Sequence, residues 1–233
     1  MKLITLTNDG YIEYTQNLVA SLERVGINNL EIFAVGKKSY NHFNKQNIQT
    51  HFLNNNYFSN VNKFQEWRSK NFNKLMFIKL SIVYETLLGA EKVLYIDGDI
   101  VFLKNPISEI NTMPIKDMIG QFDYNPTEKN KTLCAGFMLV NNTEASKNLF
   151  NPNRVPSDLL DLNPKNKNHF DDQRYINQNL SSVDYKFFDI KKYPNGLYYY
   201  NHHEVLDPTI IHFNYIIGSE KKKIMQDMGF WYL

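Results

Sequence analysis

Val93-Leu94-Tyr95-Ile96-Asp97-Gly98-Asp99-Ile100-Val101-Phe102-Leu103 is the stretch on which the reading of this chain turns. Two carboxylates stand inside an otherwise apolar, strand-forming run. A buried, unpaired carboxylate costs several kcal/mol, so such groups require a cation or hydrogen-bond donors. In a strict strand Asp97 and Asp99 share a face. Gly98 between them permits a bend or the close approach of a ligand. Two readings are open: a turn between two strands with solvated aspartates, or a site for a hard divalent cation, which favours oxygen ligands. The apolar runs on both sides favour the cation.

The segments around this stretch alternate. Upstream, Asn73–Leu88 reads as a helix with a stripe of Met76, Leu80, Val83 and Leu87, and Gly89 sits where helices often end. Lys79 lies at the edge of that stripe, about 60–70° from its centre at ~100° per residue. It either snorkels to solvent or faces the acids, because this helix leads directly into the Asp-bearing strand. Further upstream, Lys2–Thr7, Leu30–Val35 and Ile48–Leu53 read as strands, with a helix over Tyr11–Val25 and a short one over 37–47 between them. Downstream, Met118–Phe122, Leu133–Val140, Tyr185–Ile190 and Thr209–Tyr215 read as strands, and Phe170–Leu180 and Ser219–Met228 as helices. Residues 54–62 and 151–168 are polar or Pro/Asn-rich and read as loops. Strands separated by helical patterns predict an α/β fold with a largely parallel sheet.

Three further clusters carry chemistry. His212 stands in Thr209-Ile210-Ile211-His212-Phe213-Asn214; it is either a satisfied core residue or the imidazole that completes a carboxylate metal site. Gly218-Ser219-Glu220-Lys221-Lys222-Lys223 opens a helix with three lysines, which opposes the helix dipole unless an anion occupies that end. The alternative is a solvated charge run. His169-Phe170-Asp171-Asp172-Gln173 offers acids and an amide either to the hydroxyls of a ligand or to the start of a helix, where one Asp would act as the cap.

Composition bounds the rest. The chain has 233 residues, 42% hydrophobic and 21% charged, enough for a sizeable core and too apolar for global disorder. Lys+Arg is 26 against Asp+Glu 24, a balance unlike that of a nonspecific nucleic-acid binder. The single cysteine excludes an intramolecular disulfide and a Cys-based zinc cluster. No apolar run approaches the ~20 residues of a membrane span. Met1 to Thr7 is too short for a signal-peptide core, so a cytoplasmic protein is expected.

Taken in order, these motifs resemble those of GT-A-fold glycosyltransferases, specifically the glycogenin-like (family-eight) and nucleotide-diphospho-sugar transferase families. Leu6-Thr7-Asn8-Asp9-Gly10-Tyr11 resembles the first nucleotide-binding loop, Lys79-Leu80 the Lys-Leu pair, Val93–Val101 the DxD segment, and Asp172-Gln173 with Asn177 the DQ…N motif. His212-Phe213-Asn214, Gly218 and Lys221 resemble the closing His…Gly…Lys segment, and Trp231 its terminal Trp. Cys134-Ala135-Gly136 stands where the family has Asn-Ser-Gly or Asn-Ala-Gly, so Cys134 departs from the pattern.

The resemblance implies a single GT-A domain, a Rossmann-like three-layer α/β/α sandwich with its nucleotide-binding part over about 1–103 and its sugar and acceptor part over about 104–233. It implies transfer from a nucleotide-diphosphate sugar, UDP-sugar favoured, to a hydroxyl of a glycan or other acceptor, with retention. Asp97, Asp99 and His212 would hold Mn²⁺ or Mg²⁺. Thr5, Leu6, Thr7, Asn8 and Tyr11 would line the nucleoside pocket, with Asp97 near the ribose. Gly218 and Lys221, or Lys222 in its place, would meet the diphosphate. Lys79, Asp171, Asp172 and Gln173 would surround the donor sugar and carry catalysis, and Gly136 would contact the nucleotide sugar. Two rival expectations are a sugar-nucleotide nucleotidyltransferase, whose Gly-rich basic N-terminal loop is absent here, and a non-catalytic glycan-binding module, which the 15 tyrosines would suit.

Overall fold

Among the described residues the chain forms nine strands: β1 (Lys2–Asn8), β2 (Leu30–Val35), β3 (Thr50–Phe52), β4 (Lys92–Ile96), β5 (Ile100–Phe102), β6 (Met118–Phe122), β7 (Leu133–Asn141), β8 (Tyr185–Phe187) and β9 (Ile210–His212). This computed structural model describes residues 1–53, 61–66, 69–128, 131–154 and 171–233. The expected loops therefore lie largely (54–62) and mostly (151–168) outside the described residues, as do His169 and Phe170. Seven strands form one sheet in the order β3-β2-β1-β4-β7-β6-β8, and β5 and β9 pair separately. All neighbours in the large sheet are parallel except at β7, which runs antiparallel to both β4 and β6.

The described helices are α1 (Ile12–Arg24), α2 (Lys37–Asn44), α3 (Lys70–Leu87), α4 (Ile107–Thr112), α5 (Glu144–Phe150), α6 (Asp172–Asn179), α7 (Gly196–His202) and α8 (Ser219–Asp227). The period of two along the central strands sorts them into layers. Val93 and Tyr95 of β4, with Met138 and Val140 of β7, pack under Leu80, Val83 and Leu87 of α3 and residues of α5 and α6. The intervening Leu94, Ile96, Phe137 and Leu139 pack against Leu18 and Leu22 of α1, Phe43 of α2 and Ile110 of α4. A sheet covered on both faces yields strands that are apolar throughout, and β4 and β7 read that way. Burying each such side chain is worth about 1.5–3 kcal/mol. The result is the expected three-layer α/β/α arrangement. Among the described residues no helix is long and apolar enough to cross a membrane.

Several expectations need correction. β5 does not resume β4 beyond Asp97-Gly98-Asp99; the chain turns there and enters the small sheet, where Ile100 pairs with His212. The late strands are shorter than Tyr185–Ile190 and Thr209–Tyr215, since only Tyr185–Phe187 and Ile210–His212 find ladder partners. α3 starts at Lys70 because the Ser69 side chain accepts from the Phe72 N–H at 3.0 Å, a cap four residues ahead of the first expected helical position. Three short helices, α4, α5 and α7, carry too few turns for periodicity to reveal them. In α7 the run Tyr198-Tyr199-Tyr200 mostly packs inward: Tyr199 is buried in the cluster around Val101, Ile211 and Phe213.

Candidate functional site

The small sheet determines the site. Antiparallel pairing sets His212 opposite Ile100, next to Asp99, and the Phe213 N–H donates to the Asp99 carbonyl at 3.0 Å. A residue near the chain's end is thereby brought to the turn that follows β4. His212 Nε2 lies 3.3 Å from Asp99 Oδ1 and 3.9 Å from Asp97 Oδ2. One ligand atom from each of Asp97, Asp99 and His212 falls within 4.8 Å of the others. Gly136 of β7 backs this group, and a Cβ there would stand 2.3 Å from His212 Cε1 and 2.7 Å from Asp97 Oδ2. Two carboxylates and an imidazole around a space kept clear by a glycine fit a divalent cation with oxygen and nitrogen ligands.

The site opens into a cleft of about 600 Å³ at the C-terminal ends of β1 and β4. Lys79, which reached only the edge of the sequence stripe, is buried and points into it. Its Nζ lies 2.8 Å from Asp172 Oδ2 and 3.1 Å from Asp97 Oδ1, and it donates to the Ala135 carbonyl at 3.3 Å. The contact with Asp172 is a close charge pairing rather than an aligned hydrogen bond. Burial pushes the lysine's pKa down, but Asp172 and Asp97 outweigh it and hold the group charged. Burial pushes the Asp172 carboxyl up to about 6 against the pull of Lys79, with Asp171 and Asp97 adding to the rise. For Asp99 burial again pushes upward, yet Lys221 and then His212 beside it hold the carboxyl well below the usual range.

Of Asp171 and Asp172, the first takes the cap. Asp171 caps α6, its Oδ1 accepting from the Arg174 N–H at 2.9 Å, while its neighbour Asp172 turns inward to Lys79. The next residue, Gln173, accepts from the Ala135 N–H at 3.2 Å and donates to Asp123 Oδ2 at 2.8 Å. These contacts exist because the β6–β7 ladder shifts register between Gly120 and Gln121. The shift frees Ala135 from β6, and its N–H and C=O turn to Gln173 and Lys79 instead. Asn177 ties α6 to β7 by bonding both backbone groups of Leu133, and it does not line the cleft.

The N-terminal residues divide as well. Leu6, Thr7, Asn8 and Tyr11 line the cleft; Thr5 does not, being fully buried beneath it. The strand's alternation continues into the core there, so Thr5 has no surface to offer a nucleoside. The Asn8 side chain is committed to the fold, donating to the carbonyls of Val61 (3.0 Å) and Lys63 (2.7 Å) and accepting from the Gly10 N–H. Tyr11 stacks on Tyr14, and its hydroxyl meets Lys221 Nζ at 3.3 Å.

Lys221 also pairs closely with Asp99, whereas Lys222 points outward to Glu13 at 2.7 Å, so only Lys221 serves the cleft. Gly218 precedes α8 at φ +65 with nothing near its Cβ position. Trp231 packs edge-on against Tyr14 at 5.5 Å rather than in the cleft. Cys134 lines the cleft with its Sγ 3.7 Å from His212 Nδ1; burial pushes its thiol pKa up.

Reading the sequence missed Gln121, Asp123 and Tyr215. Asp123 accepts from Gln173, from Asn195 at 3.0 Å and from the Tyr215 hydroxyl at 3.0 Å. Its one sequence signal was an acid directly after an apolar strand, the same pattern that exposed Asp97.

Residues 25–228 match the family model for nucleotide-diphospho-sugar transferases. A UDP-galactose:fucoside alpha-3-galactosyltransferase of Dictyostelium discoideum is 24% identical over 282 residues, covering 100% of this chain and 43% of the relative. This chain thus spans less than half of that relative's length. Among solved structures, the galactosyltransferase LgtC in complex with donor and acceptor sugar analogues aligns at TM-score 0.63 and 14% identity, over 91% of this chain and 86% of that one. The apo-form glycosyltransferase GlyE of Streptococcus pneumoniae TIGR4 aligns at 0.60 and 14%, over 100% and 60%. Mouse xyloside xylosyltransferase 1 aligns at 0.56 and 13%, over 93% and 99%. At these identities the structural likeness speaks to fold alone, while the family match covers most of the chain. The chain therefore belongs to the nucleotide-diphospho-sugar transferase family, with a layered sheet and a cleft at its strand ends in the fold of the solved glycosyltransferases it aligns with.

Proposed function

We propose that this protein is a metal-dependent glycosyltransferase that moves a hexosyl or pentosyl group from a UDP-sugar to an acceptor hydroxyl with retention of configuration. The observation that carries the metal reading is the meeting of Asp97, Asp99 and His212 within 4.8 Å beside the Gly136 backbone. These three residues would hold Mn²⁺ or Mg²⁺. Such an ion, when bound, supplies Lewis-acid neutralisation of charge on the departing diphosphate.

The chain's own groups account for the remaining steps. Lys221, at the start of α8, offers an ammonium to the diphosphate, and the open backbone at Gly218 admits a phosphate close to the free N–H groups of that helix end. As the bond from sugar to diphosphate lengthens, positive charge grows on the sugar. Asp172, ionised above about pH 6, and the Gln173 carbonyl oxygen present negative potential to it. Lys79 holds Asp172 and Asp97 in place, and Asp171 fixes the first turn of α6 from which Asp172 and Gln173 project. Leu6, Thr7 and Tyr11 would flank the nucleoside, with Asp97 towards the ribose. Asn8 lines the same wall with its side-chain amide held by the Val61 and Lys63 carbonyls, and Thr5 would support the wall from behind.

UDP-galactose is the first donor to test, since the curated relative is named for it. That relative's name also specifies an α linkage, and transfer from an α-linked donor to an α-linked product is retention. The replacement of the family's Asn by Cys134 removes an amide from this wall and makes other donors worth including. The decisive experiment is a panel of nucleotide sugars assayed for transfer or donor hydrolysis, with and without EDTA. Activity is expected with Mn²⁺ or Mg²⁺, and loss is expected with EDTA or in Asp99→Ala. Full activity in EDTA, or an active Asp99→Ala, would refute the metal role.

A further inference from the structure

Gln121 is fully buried, does not line the cleft, and lies where β6 and β7 change register. Its Nε2 donates to two backbone carbonyls just ahead of α7, Tyr193 O at 3.2 Å and Pro194 O at 2.8 Å. A primary amide carries two N–H donors on one side and an acceptor on the other. Turned over, this one would set its oxygen against two carbonyl oxygens and strand all three. Its neighbours therefore determine its orientation, and Oε1 must accept. The partner of Oε1 is His212 Nδ1, at 2.7 Å. An imidazole nitrogen that close to a carbonyl oxygen has to supply the proton, because a bare Nδ1 would oppose two lone pairs. Cys134 Sγ, at 3.7 Å from the same nitrogen, is a longer and weaker partner. The other ring nitrogen, Nε2, faces the carboxylates of Asp99 and Asp97.

We propose that Gln121 is a positioning residue that keeps the proton on His212 Nδ1 and so commits Nε2 to the cation held with Asp97 and Asp99. This rests on the metal reading above. Histidines that bind metals commonly donate their second N–H to an oxygen that fixes tautomer and ring orientation. Here that oxygen is a side-chain amide, itself anchored by backbone 72 and 73 residues further along the chain. The metal group is thus coupled to the Tyr193-Pro194 turn through this amide as well as through the His212 backbone N–H, which donates to the Pro194 carbonyl at 3.4 Å.

The test has two arms. In the first, metal-free wild type carrying ¹⁵N-labelled histidine is examined by long-range ¹H–¹⁵N correlation, the His212 signals being identified by their loss in His212→Gln. A proton on Nδ1 is expected; a bare Nδ1, whatever Nε2 carries, overturns the proposal without any variant at position 121. In the second, Mn²⁺ is titrated calorimetrically into nucleotide-free wild type and Gln121→Leu, with circular dichroism to verify folding. Gln121→Leu is expected to bind Mn²⁺ about 10–100-fold more weakly and to lose the exclusive Nδ1–H signature. Unchanged affinity in a folded Gln121→Leu overturns the proposal. A wild type that holds Nδ1–H but binds no Mn²⁺ would instead overturn the metal reading and the role of Nε2 with it.

Discussion

Lys79→Met separates the charge of Lys79 from its bulk. Methionine keeps the buried volume but removes the ammonium that stands 2.8 Å from Asp172 and 3.1 Å from Asp97. Asp97 is 26% exposed at its side chain, so water takes over much of its solvation; Asp172, at 5%, is left without compensation. Removing one partner of a buried pair costs about 3–5 kcal/mol. The carboxyl can escape by taking up a proton, and that escape sets a ceiling. From an unfolded pKa near 3.8, protonation costs ~1.36 kcal/mol per pH unit, hence about 5–6 kcal/mol near pH ~8 but only about 2 kcal/mol near pH ~5.5. With ~2–4 °C per kcal/mol for a domain of this size, the melting temperature should drop by about 6–20 °C near pH ~8 and by less than about 8 °C near pH ~5.5.

The sign follows from linkage. A carboxyl whose folded pKa is raised to about 6 binds its proton more tightly in the folded state. Its contribution to stability is therefore present at low pH and declines as pH rises from about 4 to about 6 in the wild type. In Lys79→Met the decline continues to higher pH, because the opposing ammonium is gone. Thermal melts at the two pH values measure this directly. Lys79→Met/Asp172→Asn, which removes the stranded charge, should recover most of the loss near pH ~8. An equal loss at both pH values, or a double variant no more stable than Lys79→Met, would refute the reasoning.

Other expectations concern the cleft. Gly136→Ala puts a Cβ against His212 and Asp97, so Mn²⁺ affinity by calorimetry should fall at least ~10-fold, with about 1–3 kcal/mol of stability lost to overpacking; binding like that of the wild type would contradict the close approach. The pH profile of kcat/KM should fall about tenfold per unit below about pH 6 as Asp172 takes up its proton, and a profile flat to pH ~5 would exclude the carboxylate from the rate. Cys134 is buried with a raised thiol pKa, so alkylation by iodoacetamide near pH ~8 should run at least ~100-fold slower in the folded protein than in urea; equal rates would contradict that burial.

Much of this protein was legible one segment at a time. The apolar run of β4, the stripe of α3 and the breaker Gly89 follow from burial periodicity and backbone freedom, which are local properties. Asp97 and Asp99 stood out because charge inside an apolar run carries a cost that some partner must offset. The identity of those partners was not local. That Asp171 caps α6 while Asp172 turns inward depends on one residue of helical phase, about 100°. That Lys79 is buried depends on Asp172 arriving on α6, which packs beside α3 on the same face of the sheet. The register shift at Gly120/Gln121, which aims the Ala135 backbone at Lys79 and Gln173, leaves no trace in composition or periodicity.

The sequence by itself determined the alternation of helix and strand, both covered faces of the sheet and the presence of two acids that need a cation or donors. Tertiary structure alone decided that β5 leaves the main sheet to pair with β9, which carries His212 to Asp99. The same level decided that a buried amide at Gln121 governs which imidazole nitrogen faces them. The physical reason is range: hydrophobic patterning acts within a few turns of chain, whereas hydrogen-bond complementarity between segments 72 to 91 residues apart exists only once the fold has closed.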